Sequence, residues 1–271
     1  MANRKQTAKA RPQGISPEQV AGTTMKAVQM YSPYGYRAKI GLIVPSTNTV
    51  NEPEFYYMAP RGVSVHSARI KLLGKATTES YLAMGAETER AASELGTAEV
   101  DVIAWGCTSG SVIIPRQKLE DSIVKAAGVP AVTTFGSVLA ALKVFGAKKI
   151  SLGTPYVDFV NEEEVRLLEE SGFKVSAWYG LRLGETQEER RGIGRVPPES
   201  LFRLVHYIDR PESEVIFLSC TNLATIEMID ELEASVGKPV ITSNQATFWH
   251  ALRTAGLNDR LEGFGRLLRE F

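Results

Sequence analysis

The chain has 271 residues, of which 44% are apolar, and its 31 basic and 31 acidic side chains balance to a formal net charge of zero. This length and composition leave room for two subdomains of ordinary size, each with its own core. The neutral balance excludes a general attraction to nucleic acid or to an anionic membrane, and no apolar run reaches the roughly 18 residues that span a bilayer. We therefore expect no nucleic acid and no membrane among its partners.

The first segment differs from the rest of the chain. Residues 1–14 carry four basic side chains and no acidic one, and they lack the apolar core of a secretory signal. We interpret residues 1–37 as a flexible N-terminal extension with a weak helix over residues 16–30. The protein is expected to be cytoplasmic.

From residue 38 onward, short apolar runs alternate with segments of helical periodicity. The predicted strands, in chain order, are residues 40–44, 63–70, 100–105, 131–134, 150–154, 175–183, 215–219 and 240–242. The predicted helices are residues 78–95, 116–127, 137–145, 157–171, 198–208, 223–236 and 246–255. Strands rich in Val, Ile and Leu that alternate with helices form parallel sheets covered on both faces, so we expect an α/β fold.

Segments of the chain recur in the same order with nearly constant displacement, which indicates an internal duplication. Residues 39–45 match residues 149–155 at an offset of 110, and residues 128–133 match residues 237–242 at an offset of 109. A repeat of roughly a hundred residues is far longer than a solenoid unit. Each repeat is about the size of one small domain.

The duplication divides the chain into two halves. We expect residues 38–146 to form the first α/β half, residues 147–246 to form the second, and residues 247–271 to pack back on the first. The predicted architecture is two pseudo-symmetric, four-stranded parallel-sheet subdomains of the flavodoxin-like type. The active site is expected in the cleft between them, because open parallel sheets bind ligands beyond the carboxyl ends of their strands.

Both cysteines of the chain lie in a further matched pair of segments. Residues 101–113 and 214–226 share an acidic residue, a Val-Ile pair, a Cys-Thr pair and a final Ile, with Cys107 and Cys220 placed 113 positions apart. Each cysteine follows a predicted strand, and the helix predicted after Cys220 would lower the pKa of that thiol through its free N–H groups. We expect two catalytic thiols in one cleft, against the alternative that both are small core residues.

Neutral hydrogen-bond donors occur at the same predicted strand ends. The candidate substrate-binding residues are Ser46, Asn48, Thr108, Ser109, Tyr156, Thr221 and Asn222. Such donors hold a carboxylate or an enediolate without neutralising it. The sequence has no metal-ligand spacing, dinucleotide fingerprint or phosphate loop. The expected partner is a small carboxylic acid substrate, with neither a cofactor nor a metal.

Together these motifs resemble the aspartate/glutamate racemase superfamily, and within it the maleate cis–trans isomerases and the arylmalonate decarboxylases. The resemblance rests on IGLIVPSTN at residues 40–48, the strand-end thiols, Thr-Pro-Tyr at 154–156 and Gly-Arg-Leu-Leu at 265–268. It covers most of residues 38–268. It implies a fold of two pseudo-symmetric α/β halves and an activity without metal or organic cofactor.

The isomerases imply one set of roles. By resemblance, Asn48 binds substrate, Cys107 is a nucleophilic thiolate, Tyr156 binds a carboxylate and Cys220 donates a proton. A second substrate-binding asparagine of the isomerases has no counterpart here, because the corresponding stretch is residues 187–191, Gln-Glu-Glu-Arg-Arg. Either an arginine of this stretch replaces that asparagine at the far carboxylate, or the substrate is not maleate.

The decarboxylases imply a different use of the first thiol position. In them, glycine matches Cys107, and a single cysteine that matches Cys220 protonates the enediolate formed by loss of carbon dioxide. This chain has both thiols but also keeps Thr108 and Ser109, which match the decarboxylase dioxyanion hole. Both chemistries therefore stay open.

Three functions follow from the sequence. The first is a cofactor-independent isomerase of a small carboxylic acid, working by maleate-like cis–trans isomerisation or by two-thiol racemisation. The second is a cofactor-independent decarboxylase of arylmalonate-type diacids with Cys220 as proton donor. The third is an intracellular small-acid binding protein in which the thiols are incidental. The sequence is also compatible with a homo-oligomer.

Overall fold

The structure is a computed structural model that describes residue 16 and residues 33–271. Most of the expected N-terminal extension, including residues 17–30 of the helix predicted over residues 16–30, lies outside the described residues. Within the described part of the chain, no helix combines the length and the apolar character needed to cross a membrane.

Two four-stranded parallel sheets form the core of the described chain. The first contains, in the order β2-β1-β3-β4, the strands β1 (Ala38–Pro45), β2 (Val63–Ile70), β3 (Val102–Trp105) and β4 (Ala131–Thr133). The second contains, in the order β6-β5-β7-β8, the strands β5 (Lys149–Thr154), β6 (Lys174–Gly180), β7 (Val215–Leu218) and β8 (Val240–Thr242). The two strand orders are equivalent, so the expected pair of pseudo-symmetric four-stranded α/β halves is confirmed.

Helices connect the strands in both halves. Those before β5 are α1 (Asn51–Met58), α2 (Thr78–Gly85), α3 (Thr88–Thr97), α4 (Thr108–Ile113), α5 (Arg116–Ala127) and α6 (Thr134–Val144). Those after β5 are α7 (Asp158–Glu170), α8 (Gln187–Gly192), α9 (Pro198–Ile208), α10 (Ile229–Val236), α11 (Ser243–Thr254) and α12 (Gly265–Glu270). Short 3₁₀ turns occur at Ile193–Arg195 and Ile226–Met228.

The helices differ from the sequence prediction in two respects. The single helix predicted over residues 78–95 is the pair α2 and α3, and α2 ends at Gly85, a poor helix former. The helices α1, α4, α8 and α12 were not predicted, since each has eight residues or fewer and is too short to show a clear apolar period.

The central strands explain the unbroken apolar runs in the sequence. All four residues of β3 and all four of β7 are buried. Because helices cover both faces of a parallel sheet, both sets of alternating side chains need to be apolar. Each fully buried large aliphatic or aromatic side chain contributes about 1.5–3 kcal/mol of transfer free energy. The two sheets therefore form the stable frame from which the strand-end loops project.

The C-terminal residues join the two halves. Helix α11 follows β8 of the second sheet but packs against α6, β3 and β4 of the first half. The Arg253 guanidinium donates to the carbonyl oxygen of Phe271, and the rings of Phe145 and Phe271 meet edge to face at 4.9 Å. Arg37, just before β1, forms a 2.6 Å ion pair with Asp259. These contacts attach the C-terminal segment, which continues from the second sheet, to the first half.

Candidate active site

The two cysteines occupy equivalent positions in the two halves. Cys107 lies two residues after β3 and Cys220 two residues after β7, and both are free thiols. They are buried, with 5% and 8% of their surfaces exposed. Because β3 and β7 are equivalent strands of the duplicated sheets, the duplication places one thiol on each wall of a single pocket.

This pocket has an empty volume of about 490 Å³, its mouth included, and lies between the halves. Eight of the nine predicted site residues line it: Asn48, Cys107, Thr108, Ser109, Tyr156, Cys220, Thr221 and Asn222. Ser46 does not line it, because its side chain is turned to accept a 3.0 Å hydrogen bond from the backbone N–H of Leu72. Thr47, from the same loop, lines the pocket instead.

Cys107 precedes the first residue of α4 and caps that helix. Its Sγ accepts a hydrogen bond from the backbone N–H of Gly110 at 3.4 Å and lies 3.7 Å from the hydroxyl of Ser109. Burial raises the pKa of the Cys107 thiol, while the Gly110 N–H, the Ser109 hydroxyl and the positive charge of Arg190 each lower it. The thiolate of Cys107 therefore has donors and a cation beside it.

Cys220 has a different environment. Its backbone φ is +115°, a conformation that a side chain with a Cβ rarely adopts. Burial raises the pKa of this thiol to about 12, although the Tyr156 hydroxyl and the Asn222 N–H lower it. The prediction that a helix begins close to Cys220 is wrong, because residues 221–225 are turn and loop and α10 begins only at Ile229. No helix end stabilises a thiolate here.

Hydrogen bonds between the halves fix the two thiol-bearing loops. Thr221 Oγ1 donates to the carbonyl of Gly106 and accepts from Asn48 Nδ2, both at 3.0 Å. On the other side of the pocket, Thr108 Oγ1 donates to Ser243 Oγ at 2.8 Å. Ser243 Oγ also accepts a hydrogen bond from the backbone N–H of Cys220 at 2.9 Å. The hydroxyl protons of both threonines are thus already donated within the protein.

The side chain of Asn48 is fixed by three hydrogen bonds, and one of its two amide N–H groups is not used in them. Its Oδ1 accepts from the backbone N–H groups of Val50 and Asn51, both at 2.9 Å, and one of its two N–H groups is donated to Thr221. In the part of the chain that the structure describes, the second N–H has no protein acceptor. A fixed amide with a spare donor on a pocket wall is suited to a carboxylate oxygen.

Two titratable residues of the pocket are not among the nine predicted site residues. Tyr81, on α2, and Arg190, on α8, are both buried and line the pocket. The guanidinium carbon of Arg190 lies 5.2 Å from the centre of the Tyr81 ring, within the range of a cation–π contact. Burial raises the pKa of Tyr81 to about 12. Tyr81 gave no signal in the sequence, whereas Arg190 was one of two arginines in a charged stretch.

A pair of equivalent buried carboxyl groups, Glu54 and Glu164, is not part of the pocket lining. Glu54 on α1 accepts from the backbone N–H groups of Thr225 and Ile226 and from Asn244 Nδ2, and burial raises its pKa to about 7. Glu164 on α7 accepts a 2.8 Å hydrogen bond from Ser219, beside Cys220, and burial raises its pKa to about 8. Both groups therefore favour the protonated form more than an exposed glutamate does.

The fold and the site define a class of protein. Two α/β halves that enclose one pocket, with a buried thiol on each wall and neutral donors around them, are the arrangement of an enzyme that uses paired thiols. The sequence matches the family model described as arylmalonate decarboxylase over residues 40–268, and the chain belongs to that family.

The chain is similar in sequence to proteins with two different activities. A maleate isomerase from Pseudomonas putida is 30% identical over 246 residues, which cover 85% of this chain and 96% of the relative. An arylmalonate decarboxylase from Bordetella bronchiseptica is 32% identical over 205 residues, or 73% of this chain and 83% of the relative. A crystal structure of an alanine variant of the Pseudomonas putida S16 maleate isomerase with maleate has a TM-score of 0.79 at 25% identity and covers 86% of this chain and 97% of that one.

Proposed function

We propose that this protein is a cofactor-independent cis–trans isomerase of a maleate-like dicarboxylate, with Cys107 as nucleophile and Cys220 as proton donor. The observation that carries the proposal is the presence of two buried thiols, one from each half, in the same pocket. The similarity to maleate isomerases over most of both chains supports it.

The chemistry requires the two thiols to act in opposite protonation states. The Cys107 thiolate adds to one alkene carbon, and the electron pair of the double bond moves towards the carboxylate on the other carbon. The Cys220 thiol then gives its proton to that second carbon, which leaves a single bond about which the substrate rotates. Cys220 takes the proton back, the carbon–sulfur bond breaks, and its electrons return to Cys107 as the trans isomer leaves.

The surroundings of the thiols support this division of roles. Arg190 lowers the pKa of Cys107, whereas Cys220 has the carboxyl of Glu164 nearby and a pKa of about 12. A carboxyl group next to a thiol, whether negative or neutral, does not stabilise the thiolate, whereas the positive charge of a guanidinium does. Cys107 is therefore the thiol suited to act as thiolate, and Cys220 is suited to remain protonated.

The runner-up is decarboxylation of a substituted malonate. It is favoured by Thr108 and Ser109, which both line the pocket, and by the arylmalonate decarboxylase relative. The Ser109 hydroxyl lies 3.7 Å from Cys107 Sγ, so the thiol lies next to the residues that would hold the enediolate formed by loss of carbon dioxide. Two-thiol racemisation would use the same pair of residues and differs in its products.

Proton NMR in deuterium oxide separates these chemistries. We expect the protein to convert maleate to its trans isomer, and Cys107→Ala and Cys220→Ala each to lose most of that turnover. Loss of carbon dioxide from an arylmalonate, or exchange of the α-proton of a chiral α-substituted acid, would identify the decarboxylase or the racemase instead. Full turnover of maleate by both variants would contradict the assigned thiol roles.

A further inference from the structure

We infer that Arg190 binds the second carboxylate of the substrate and makes the pocket selective for a dianion over a monoanion. This inference rests on the proposed function, because it names the group that holds the far end of the diacid.

Arg190 is a buried cation whose charge no acid of the described chain balances. Only 5% of its surface is exposed, and no carboxylate among the described residues lies within ion-pair distance of it. Its contacts are to neutral acceptors, the carbonyl of Leu73 at 3.4 Å and the hydroxyl of Ser80 at 3.3 Å. A guanidinium has five N–H donors, and burial of a charge is costly unless an opposite charge compensates it.

The pocket supplies the place for that opposite charge. Among the described residues that line it, Arg190 is the one with a permanent charge, and the other polar residues are neutral amides, hydroxyls and thiols. A monoanionic acid is held by the neutral donors alone, but a second carboxylate needs a further partner. The planar fork of an arginine matches a carboxylate with two parallel hydrogen bonds.

The guanidinium is held in place from both halves of the protein. Helix α8 belongs to the second half, yet Arg190 contacts Leu73, Ser80 and Tyr81 of the first. The segment just before α8 is bonded to the same region, since the backbone N–H of Ala76 donates to the carbonyl of Gly184 at 2.8 Å. The cation therefore lies at the wall where the halves meet, fixed before any ligand arrives.

The matched variants are Arg190→Gln and Arg191→Gln. The neighbouring Arg191 is exposed and does not line the pocket, so it controls for loss of one positive charge from the same helix. The ligands are succinate and butyrate, which differ in one carboxylate and cannot isomerise, with inhibition of maleate turnover and direct calorimetric binding as readouts. We expect wild type and Arg191→Gln to prefer succinate by about tenfold or more.

In Arg190→Gln this preference is expected to fall close to one, because succinate binding weakens while butyrate binding changes little. The KM for maleate should rise by about tenfold or more, with a smaller change in kcat. Arg190→Lys keeps the positive charge but loses the planar pair of donors, so its preference for succinate should lie between those of the wild type and Arg190→Gln. Circular dichroism spectra and melting curves establish that the variants are folded.

Equal weakening of succinate and butyrate in Arg190→Gln would show a structural role through Tyr81 and would overturn the inference. An unchanged preference would overturn it as well. If Arg190→Gln does not fold, the wild-type affinities alone test the inference. Equal affinities of the wild type for succinate and butyrate would contradict it. If the wild-type protein prefers succinate but does not isomerise maleate, the proposed reaction is wrong, while the assignment of Arg190 as the site of the second carboxylate stands.

Discussion

The hydroxyl of Thr221 donates a hydrogen bond to the backbone carbonyl of Gly106, with 3.0 Å between the two oxygens. Gly106 immediately precedes Cys107 and Thr221 immediately follows Cys220, so this bond joins the two thiol-bearing loops directly. Asn48 Nδ2 donates to the same threonine oxygen. The relative position of the thiols is therefore set by hydrogen bonds between the halves and not by either sheet alone.

Replacement of Thr221 by valine should lower both stability and turnover. The variant keeps the shape of the side chain but leaves an Asn48 N–H buried without a partner, which costs about 1–3 kcal/mol. The Gly106 carbonyl keeps only its 3.3 Å hydrogen bond from Asn51 Nδ2. Thermal unfolding measures the first effect and kcat the second. Thr97→Val is the control, because Thr97 is exposed on α3 and its loss should change neither quantity appreciably. An unchanged melting temperature in Thr221→Val would show that the tie between the loops is dispensable.

The backbone of Cys220 stores strain that glycine should relieve. At φ +115° a residue with a Cβ is destabilised by about 1–3 kcal/mol, whereas glycine is not. We expect Cys220→Gly to be more stable than Cys220→Ala by about 1 kcal/mol in denaturant unfolding. A Cys220→Ala variant that is at least as stable as Cys220→Gly would argue against strain at Cys220.

Glu164 should make the protein less stable as the pH rises. Burial raises its pKa from 4.5 to about 8, so between these values the folded state binds more protons than the unfolded state and the free energy of unfolding falls. Glu164→Gln removes the contribution of Glu164 to this dependence and leaves that of Glu54, whose pKa is about 7. The variant should be more stable than the wild type near pH 8, on the order of 1–3 kcal/mol, yet similar near pH 5. Melting temperatures across this range test the prediction.

The neighbouring Glu163 is the control for that experiment. It lies on the same helix but pairs with Arg166, which holds the pKa of Glu163 below its usual range. Glu163→Gln should therefore keep the wild-type decline between pH 5 and pH 8. A wild-type protein whose stability does not fall over this interval would contradict the raised pKa of Glu164.

The two thiols should differ in how their alkylation depends on pH. Cys220→Ala leaves Cys107 as the single thiol, and Cys107→Ala leaves Cys220, whose pKa is about 12. Iodoacetamide reacts with the thiolate, so the rate for Cys107 should rise at a lower pH than the rate for Cys220. Arg190→Gln should move the Cys107 curve to higher pH, because it removes the cation that favours the thiolate. Mass spectrometry follows the reaction, and a reversed order of the two thiols would contradict the role assignment.

The sequence was sufficient for the sheets because their burial imposes a simple pattern. Strands covered on both faces are uniformly apolar, and the duplication made each strand visible twice. Helix α1 shows why other elements were missed. It is short, and two of its four buried side chains are the polar Asn51 and Glu54, which obscure the apolar period.

The site residues that occur in both halves could be predicted from the sequence, whereas those that occur in one half could not. The strand-end thiols stand in register in both halves, so their meeting in one pocket followed from symmetry. Arg190 has no such partner in the first half, and a charged stretch is usually a solvated surface. Its burial depends on contacts with Leu73 and Ser80, more than a hundred residues earlier in the chain, which no local pattern records.

The most direct measurement of the two-thiol mechanism uses the Cys220→Ser variant incubated with maleate. In this variant the serine hydroxyl or solvent supplies the proton that completes the adduct, but no thiolate is left to remove it again, so the adduct formed by Cys107 should accumulate. Intact mass spectrometry should show a gain equal to one maleate, and peptide mapping should place it on Cys107. An adduct on another residue, or no adduct together with full turnover by Cys107→Ala, would contradict nucleophilic attack by Cys107.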